Sequence, residues 1–155
     1  MAQALFANQR EANLASTVAL IEAVLDELGY GAGKSPIPPG EGELRAWRIR
    51  KGSATTTIAL IERPDFTHVR IAAVVMTLDA AVDRAALFGH LLEINARLCG
   101  NAFALDRDRV LLVAERSTLD LDRSEVADLL TRVATNADNH DDALVARFGG
   151  TLGAT

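Results

Sequence analysis

Apolar residues spaced three and four apart dominate the first part of the chain. They are Leu14, Val18, Ile21, Leu25 and Leu28. On a helix of 3.6 residues per turn, these positions lie on one face. We therefore predict an amphipathic helix from about residue 9 to residue 28, which Gly29 ends.

The next stretch, residues 29–42, is rich in glycine and proline. Glycine has excess backbone freedom, and proline lacks the N–H that a helix or a strand needs. This composition predicts a loop that contains neither helix nor strand.

The apolar period then changes to two. Trp47 and Ile49 alternate with Arg48 and Arg50, as a half-buried strand requires. Two β-branched and apolar runs follow, at residues 55–61 and 66–77, and short polar breaks separate them. We predict three consecutive antiparallel strands joined by tight turns.

Helical spacing returns at Leu87, Leu91, Ile94 and Leu98, after Asp83 as a candidate cap. This predicts a second helix over residues 83–98. Residues 102–106 and 110–116 read as two short strands of a hairpin. A third helix begins near Ser124, with Asp122 or Ser124 as its cap, and ends at Gly149.

The order helix, three strands, helix, two strands, helix predicts an α+β fold with an antiparallel five-stranded sheet packed with helices. The length of 155 residues fits a single domain over residues 1–155. We expect order from about residue 9 to residue 150, and a frayed tail at 151–155.

Composition narrows the class of protein. The chain is 49% apolar and 24% charged, which is typical of globular proteins. Its net charge of -5 disfavours nucleic acid as a partner. Neither a signal peptide nor a membrane-spanning run is visible, so we expect a cytoplasmic protein without a membrane partner. Cys99 is the single cysteine, which fits a reducing compartment.

The sequence contains candidate residues for a phosphate-binding loop and for metal sites, but their spacing or their place in the fold does not suit these functions. Gly33-Lys34-Ser35 resembles the end of a phosphate loop, but position 28 is leucine where that motif needs glycine. His68, His90 and His140 lie in three different elements, so they do not form a helical metal-binding pair. The acidic residues of 138–142 are expected on a solvated helix face. We predict no catalytic residue, metal or cofactor, and a buried structural role for Cys99.

The first strand has a basic outer face. Arg45, Arg48, Arg50 and Lys51 interleave with Trp47. Single-stranded nucleic-acid binders use such a mixture. Charges of this kind also protect an edge strand from unwanted pairing, and an acidic peptide would suit the same surface.

The second helix has an unusually wide apolar face. Phe88 and Leu92 lie beside the stripe of Leu87, Leu91, Ile94 and Leu98. This exceeds what one sheet needs to cover. The excess suggests a second partner, most simply another copy of the chain.

The C-terminal half resembles the YbjN-like family, which is similar in fold to the class I chaperones of type III secretion. The resemblance is carried by Leu91-Leu92-Glu93-Ile94-Asn95, by the strands 101–106 and 110–113, and by a helix that closes at Phe148-Gly149-Gly150. It extends in layout over residues 9–150.

The resemblance implies a homodimer of α-β-β-β-α-β-β-α protomers that pair through the second helix. The positions that correspond to the dimer interface are Leu87, Phe88, Leu91, Ile94 and Leu98. It also implies apolar grooves for extended client segments, with Val18, Leu25, Trp47 and Ile49 as candidates. The long Gly/Pro loop before the first strand departs from the family.

The leading hypothesis is therefore a non-enzymatic peptide-binding module, either chaperone-like or a regulatory adaptor, that acts as a homodimer on an unidentified client protein. Two alternatives stay open. One is a small-molecule sensor domain, since a curved sheet with flanking helices can enclose a ligand. The other is an enzyme that uses Cys99 or the acidic cluster at 138–142.

Overall fold

The computed structural model describes residues 2–52, 54–64 and 66–153. Its helices are α1 (Ala2–Glu27), α2 (Arg84–Asn95) and α3 (Arg123–Phe148), with a short 3-10 helix at Ala32–Lys34. Its strands are β1 (Pro36–Ile37), β2 (Glu43–Lys51), β3 (Ala54–Glu62), β4 (Thr67–Thr77), β5 (Ala102–Asp106), β6 (Arg109–Ser117) and β7 (Thr151–Leu152).

One antiparallel sheet joins the strands in the order β1-β2-β3-β4-β6-β5, and β7 also pairs with β4. Trp47 lies opposite Ile58, and Ile58 lies opposite Ile71, so the three-stranded meander is confirmed in its predicted order. The α+β fold and the order of the helices and the five main strands are confirmed. The prediction of five strands misses β1 and β7.

Strand β1 lies inside the predicted structureless loop. Pro36 pairs with Trp47 and Ile37 pairs with Ala46, so the Gly/Pro segment folds back along the outer edge of β2. Proline is tolerated at a sheet edge, because its missing N–H falls where no ladder partner is needed. The local composition therefore hides a pairing that only the tertiary fold reveals.

Strand β7 lies in the predicted frayed tail. Thr151 pairs with Thr77 and Leu152 pairs with Met76. Gly150 adopts a positive φ of 80°, and a Cβ there would lie 2.6 Å from the carbonyl oxygen of Thr77. Glycine is needed for this close approach of two backbones. Residues 154 and 155 of the predicted tail lie outside the described residues.

The three helices cover one face of the sheet and bury an apolar core. Ile21 and Leu25 of α1, Trp47 of β2, and Val133 and Leu144 of α3 are all within this core. The period of two in β2 directs Trp47 and Ile49 inward and leaves Arg48 and Arg50 exposed on the other face. Leu28, which was predicted on the inner face of α1, follows the helix end and is exposed.

Side-chain caps fix the starts of α2 and α3. The Asp83 carboxylate accepts from the Ala86 N–H at 3.1 Å. Asp122 and Glu125 form a reciprocal capping box, in which each carboxylate accepts from the other's backbone N–H. These bonds favour the charged forms and lower the pKa of both carboxyls. No helix of the described chain combines the length and the apolarity that a membrane crossing needs.

Candidate functional site

A surface groove runs between the outer side of α1 and the start of β2. Its volume is about 430 Å³. The lining residues are Glu11, Leu14, Ala15, Val18, Ala19, Glu22 and Arg45. Leu14 and Val18 are half-buried and pack against the core, so they form an apolar floor. Carboxylates and one guanidinium flank this floor, which is the usual arrangement of a few polar groups around an apolar site.

Val18 is the one predicted client-binding residue that lines this groove. Leu25, Trp47 and Ile49 are buried in the core, with exposed fractions of 0%, 1% and 4%. In this conformation these three side chains belong to the core and do not line the groove. The sequence pattern did not single out Leu14 and Arg45 as groove residues, although both lie in elements that it identified.

A second groove, of about 470 Å³, lies at the other side of the start of β2. It is lined by Gly42, Glu43, Leu44, Glu62, Arg63 and Pro64. Leu44 in this groove and Arg45 in the first are consecutive residues, so the two grooves flank the same short stretch of β2. Leu44 and Arg45 directly precede Ala46 and Trp47, the two residues of β2 that pair with β1.

The predicted dimer residues divide into two groups by burial. Leu87, Leu91 and Ile94 are buried in the chain's own core. Phe88 and Leu98 are half-buried and pack against that core. The proposed role of all five in an interface stays a prediction, and each already has apolar partners within one protomer.

The exposed apolar surface of this region comes from Leu92 and Leu105, which are 68% and 47% exposed. The ion pair of Arg84 with Asp108, at 2.6 Å, holds the start of α2 beside the β5–β6 turn. Asn95 holds its other end beside β5. Leu105 lies on β5 between these two contacts. Leu105 lies on the same face of β5 as the buried Phe103, so the strand period predicts it inward and does not reveal its exposure.

Asn95 binds the free edge of β5. Its Oδ1 accepts from the Phe103 N–H at 2.7 Å, and its Nδ2 donates to the Phe103 carbonyl at 3.2 Å. The side-chain amide of Asn95 thus makes the two hydrogen bonds to Phe103 that a residue of a further strand would make. This contact fixes α2 against the sheet edge and satisfies the two Phe103 backbone groups that point away from β6.

Two predictions about chemical groups are wrong. Cys99 is exposed, because it lies beyond the end of α2 in the turn toward β5. Asp141, which was predicted on a solvated face, is buried because it shares the inward side of α3 with Ala137 and Leu144. Over the described ranges, no cluster of three or more metal-ligating side chains occurs.

The two histidines near α2 pack on aromatic rings. His140 meets Phe103 edge-on, at 5.6 Å between ring centroids, and His90 lies 5.5 Å from Phe148. Burial lowers the pKa of His140, and the nearby His90 lowers it further. These contacts join α3 to α2 and β5, and they are structural in character.

Comparison with known structures gives the fold an independent check. The ExsC–ExsE complex matches with a TM-score of 0.63 at 15% identity, covering 84% of this chain and 94% of that one. The Yersinia pestis type III secretion chaperone SycH, in complex with a YscM2 fragment, matches with a TM-score of 0.53 at 21% identity. That match covers 78% of this chain and 96% of SycH.

An uncharacterized protein from Methanothermobacter thermautotrophicus matches with a TM-score of 0.62 at 16% identity, covering 84% of this chain and 98% of that one. At these identities the likeness establishes the fold alone. No curated protein matches the sequence.

The sequence itself carries the family assignment. The model of the TY-Chap1 family, described as T3SS (YopN, CesT) and YbjN peptide-binding chaperone 1, matches residues 11–154. This range includes both grooves, α2 and the β5 edge. The chain belongs to the TY-Chap1 family of peptide-binding chaperones.

Proposed function

We propose that this protein is a homodimeric chaperone that binds an extended segment of a client protein along α1 and the edge of β2. The supporting observation is the groove between these two elements, with Leu14 and Val18 as its floor. An extended peptide gains main-chain hydrogen bonds from a strand edge, while its alternate side chains enter neighbouring pockets. The groove and the edge of β2 offer these two kinds of contact side by side.

The second groove supports the same proposal. It continues the surface past Leu44 toward Glu62 and Arg63 at the end of β3. A client segment of several residues could contact both grooves, because each residue of an extended chain spans about 3.3 Å. The two grooves together would give a longer segment more contacts than either gives alone.

The proposed dimer forms through the exposed side of α2 together with β5. Leu92 and Leu105 expose large apolar side chains there, and Phe88 is half-buried one helical turn before Leu92. A two-fold pairing would bury the same patch on both protomers. The stripe Leu87, Leu91 and Ile94 would then support the interface from within each protomer.

Light scattering tests the dimer. We expect the wild-type protein to be a dimer at micromolar concentration and Leu92→Asp to be a monomer. Because Leu92 is 68% exposed, the change should leave the folding of one protomer intact. Ala146→Glu, on the exposed surface of α3, is the control that should stay dimeric. A monomeric wild type, or a dimeric Leu92→Asp, would contradict the interface.

Peptide selection tests the client site. A display library of twelve-residue peptides is selected on the wild type, and the strongest binder is measured by fluorescence anisotropy. Val18→Glu should weaken its binding at least about 10-fold, because a charge would occupy the apolar floor. Ala146→Glu should bind as the wild type does. Equal binding by all three proteins would place the peptide elsewhere and refute the assignment.

We also propose that the protein acts in the cytoplasm. The single thiol of Cys99 is exposed and forms no disulfide, as suits a reducing compartment. Fractionation of cells that express the tagged protein would test this, and recovery from an oxidising compartment would contradict it.

A further inference from the structure

The edge of β2 already holds a strand, and that strand is unusually short. β1 has two residues, whereas β2 has nine. The Arg48 N–H donates to the carbonyl of Ser35 at 2.7 Å, and Ile37 lies opposite Ala46. In an antiparallel strand, the backbone N–H and C=O of every second residue face the same neighbour. The backbone groups of Arg50 therefore face the same edge as those of Arg48. In the described chain, no strand pairs with β2 there.

The segment before β1 is anchored, and the segment after it is exposed. The Ala32 N–H donates to the Asp26 carboxylate at 2.6 Å, and Ser35 Oγ donates to the Gly31 carbonyl at 3.0 Å. By contrast, residues 38–42 are exposed, and Gly42 adopts a positive φ of 77°. Residues 35–37 can therefore leave the edge by breaking the contact of Ser35 with Gly31, while the contact of Ala32 with Asp26 holds the preceding turn in place.

The same edge carries uncompensated positive charge. Arg48 and Arg50 are exposed on the sheet face away from the helices, and neither forms an ion pair with a carboxylate of the described chain. The residue opposite Arg48 in the internal strand is the neutral Ser35. A strand with a carboxylate at that position would gain an attraction that the internal strand lacks.

We propose that residues 35–37 are an internal substitute for a client strand, and that an acidic extended segment of a partner protein replaces them. The incoming segment pairs antiparallel with β2 and places carboxylates opposite Arg48 and Arg50. It also pairs with the part of the edge that β1 leaves open. This inference rests on the proposed peptide-binding function. It adds that the client segment is acidic, and that residues 35–37 compete with it, so that segments with low affinity are kept off the edge.

Hydrogen exchange tests the internal strand without any client. The amides of Ala46 and Arg48 face β1, whereas the Trp47 amide faces β3. If residues 35–37 leave the edge transiently, the first two amides exchange about 10-fold or more faster than the third. Equal protection of all three amides would mean that the internal strand does not leave, and would overturn the proposal even if peptides bind.

A reversible crosslink tests the competition. Ile37→Cys and Ala46→Cys introduce a disulfide across a paired position, in a Cys99→Ser background. The probes are two synthetic peptides, one alternating glutamate with valine and one alternating lysine with valine. We expect the acidic peptide to bind the reduced protein and to lose at least about 10-fold in affinity for the oxidised protein.

A loosened variant gives the opposite change. Ile37→Gly removes the side chain opposite Ala46, so the acidic peptide should bind severalfold more tightly than it binds the wild type. Pro39→Gly, in the exposed part of the loop, is the matched control and should change little. Equal affinity of the oxidised and reduced proteins, or a preference for the lysine peptide, would overturn the proposal. If neither synthetic peptide binds any form while the library-selected peptide still binds, the acidic occupant is wrong and the proposed function stands. If the selected peptide also fails to bind, the proposed function fails too.

Discussion

Removing the side-chain amide of Asn95 should lower the free energy of unfolding, because this amide joins α2 to the edge of β5. Asn95→Ala deletes two hydrogen bonds to the backbone of Phe103, of 2.7 and 3.2 Å. Each such bond contributes about 0.5–1.5 kcal/mol net, so the expected loss is about 2 kcal/mol. For a chain of this size, that corresponds to a fall in Tm of about 4–8 °C.

Urea denaturation followed by circular dichroism measures this loss. Asn95→Asp is the matched variant, because it keeps an acceptor for the Phe103 N–H and removes the donor to the carbonyl. It should lose about 1 kcal/mol. The amide of Phe103 should also exchange faster in both variants. A change below about 0.5 kcal/mol in Asn95→Ala would refute the view that this amide closes the β5 edge.

Three further variants probe the scaffold. Gly52→Ala should cost about 1–3 kcal/mol in urea denaturation, because Gly52 has a φ of 58° and a Cβ there would collide with the Asp138 carboxylate. Asp122→Ala should lower the urea midpoint by removing the capping box. Because the pKa of Asp122 is lowered in the folded state, this difference should shrink as the pH falls below the ordinary value of 3.8. His140 has a folded pKa below its ordinary 6.5, so stability should fall as the pH drops through that value. His140→Gln should flatten that part of the profile, and an unchanged profile would count against its burial as the cause.

The apolar periodicity predicted the parts of the fold that depend on burying one face. The apolar stripe of α2 and the alternation of β2 correctly predicted which side of each element packs against the core. The predicted caps at Asp83 and Asp122 are confirmed. β1 was missed because its segment is rich in glycine and proline. β7 was missed because it has two residues between glycines and pairs with the distant β4.

The candidate site was predicted less completely than the fold. A stripe such as Leu87, Leu91 and Ile94 looks the same whether it faces a core or a second protomer, and here it faces the core. Leu92 and Leu105 are exposed apolar residues that only the packed structure separates from buried ones. Val18 and Arg45 form one groove through a contact between separate elements, and the sequence could place each residue only within its own element.

The central claim is that client segments bind along α1 and the edge of β2, and NMR titration tests it most directly. The wild-type protein, labelled with ¹⁵N, is titrated with the peptide selected on it. We predict that the largest amide shifts fall on Leu14, Val18, Arg45, Ala46 and Arg48. Shifts confined to α3 or to the exposed side of α2, with these five amides unmoved, would contradict the account.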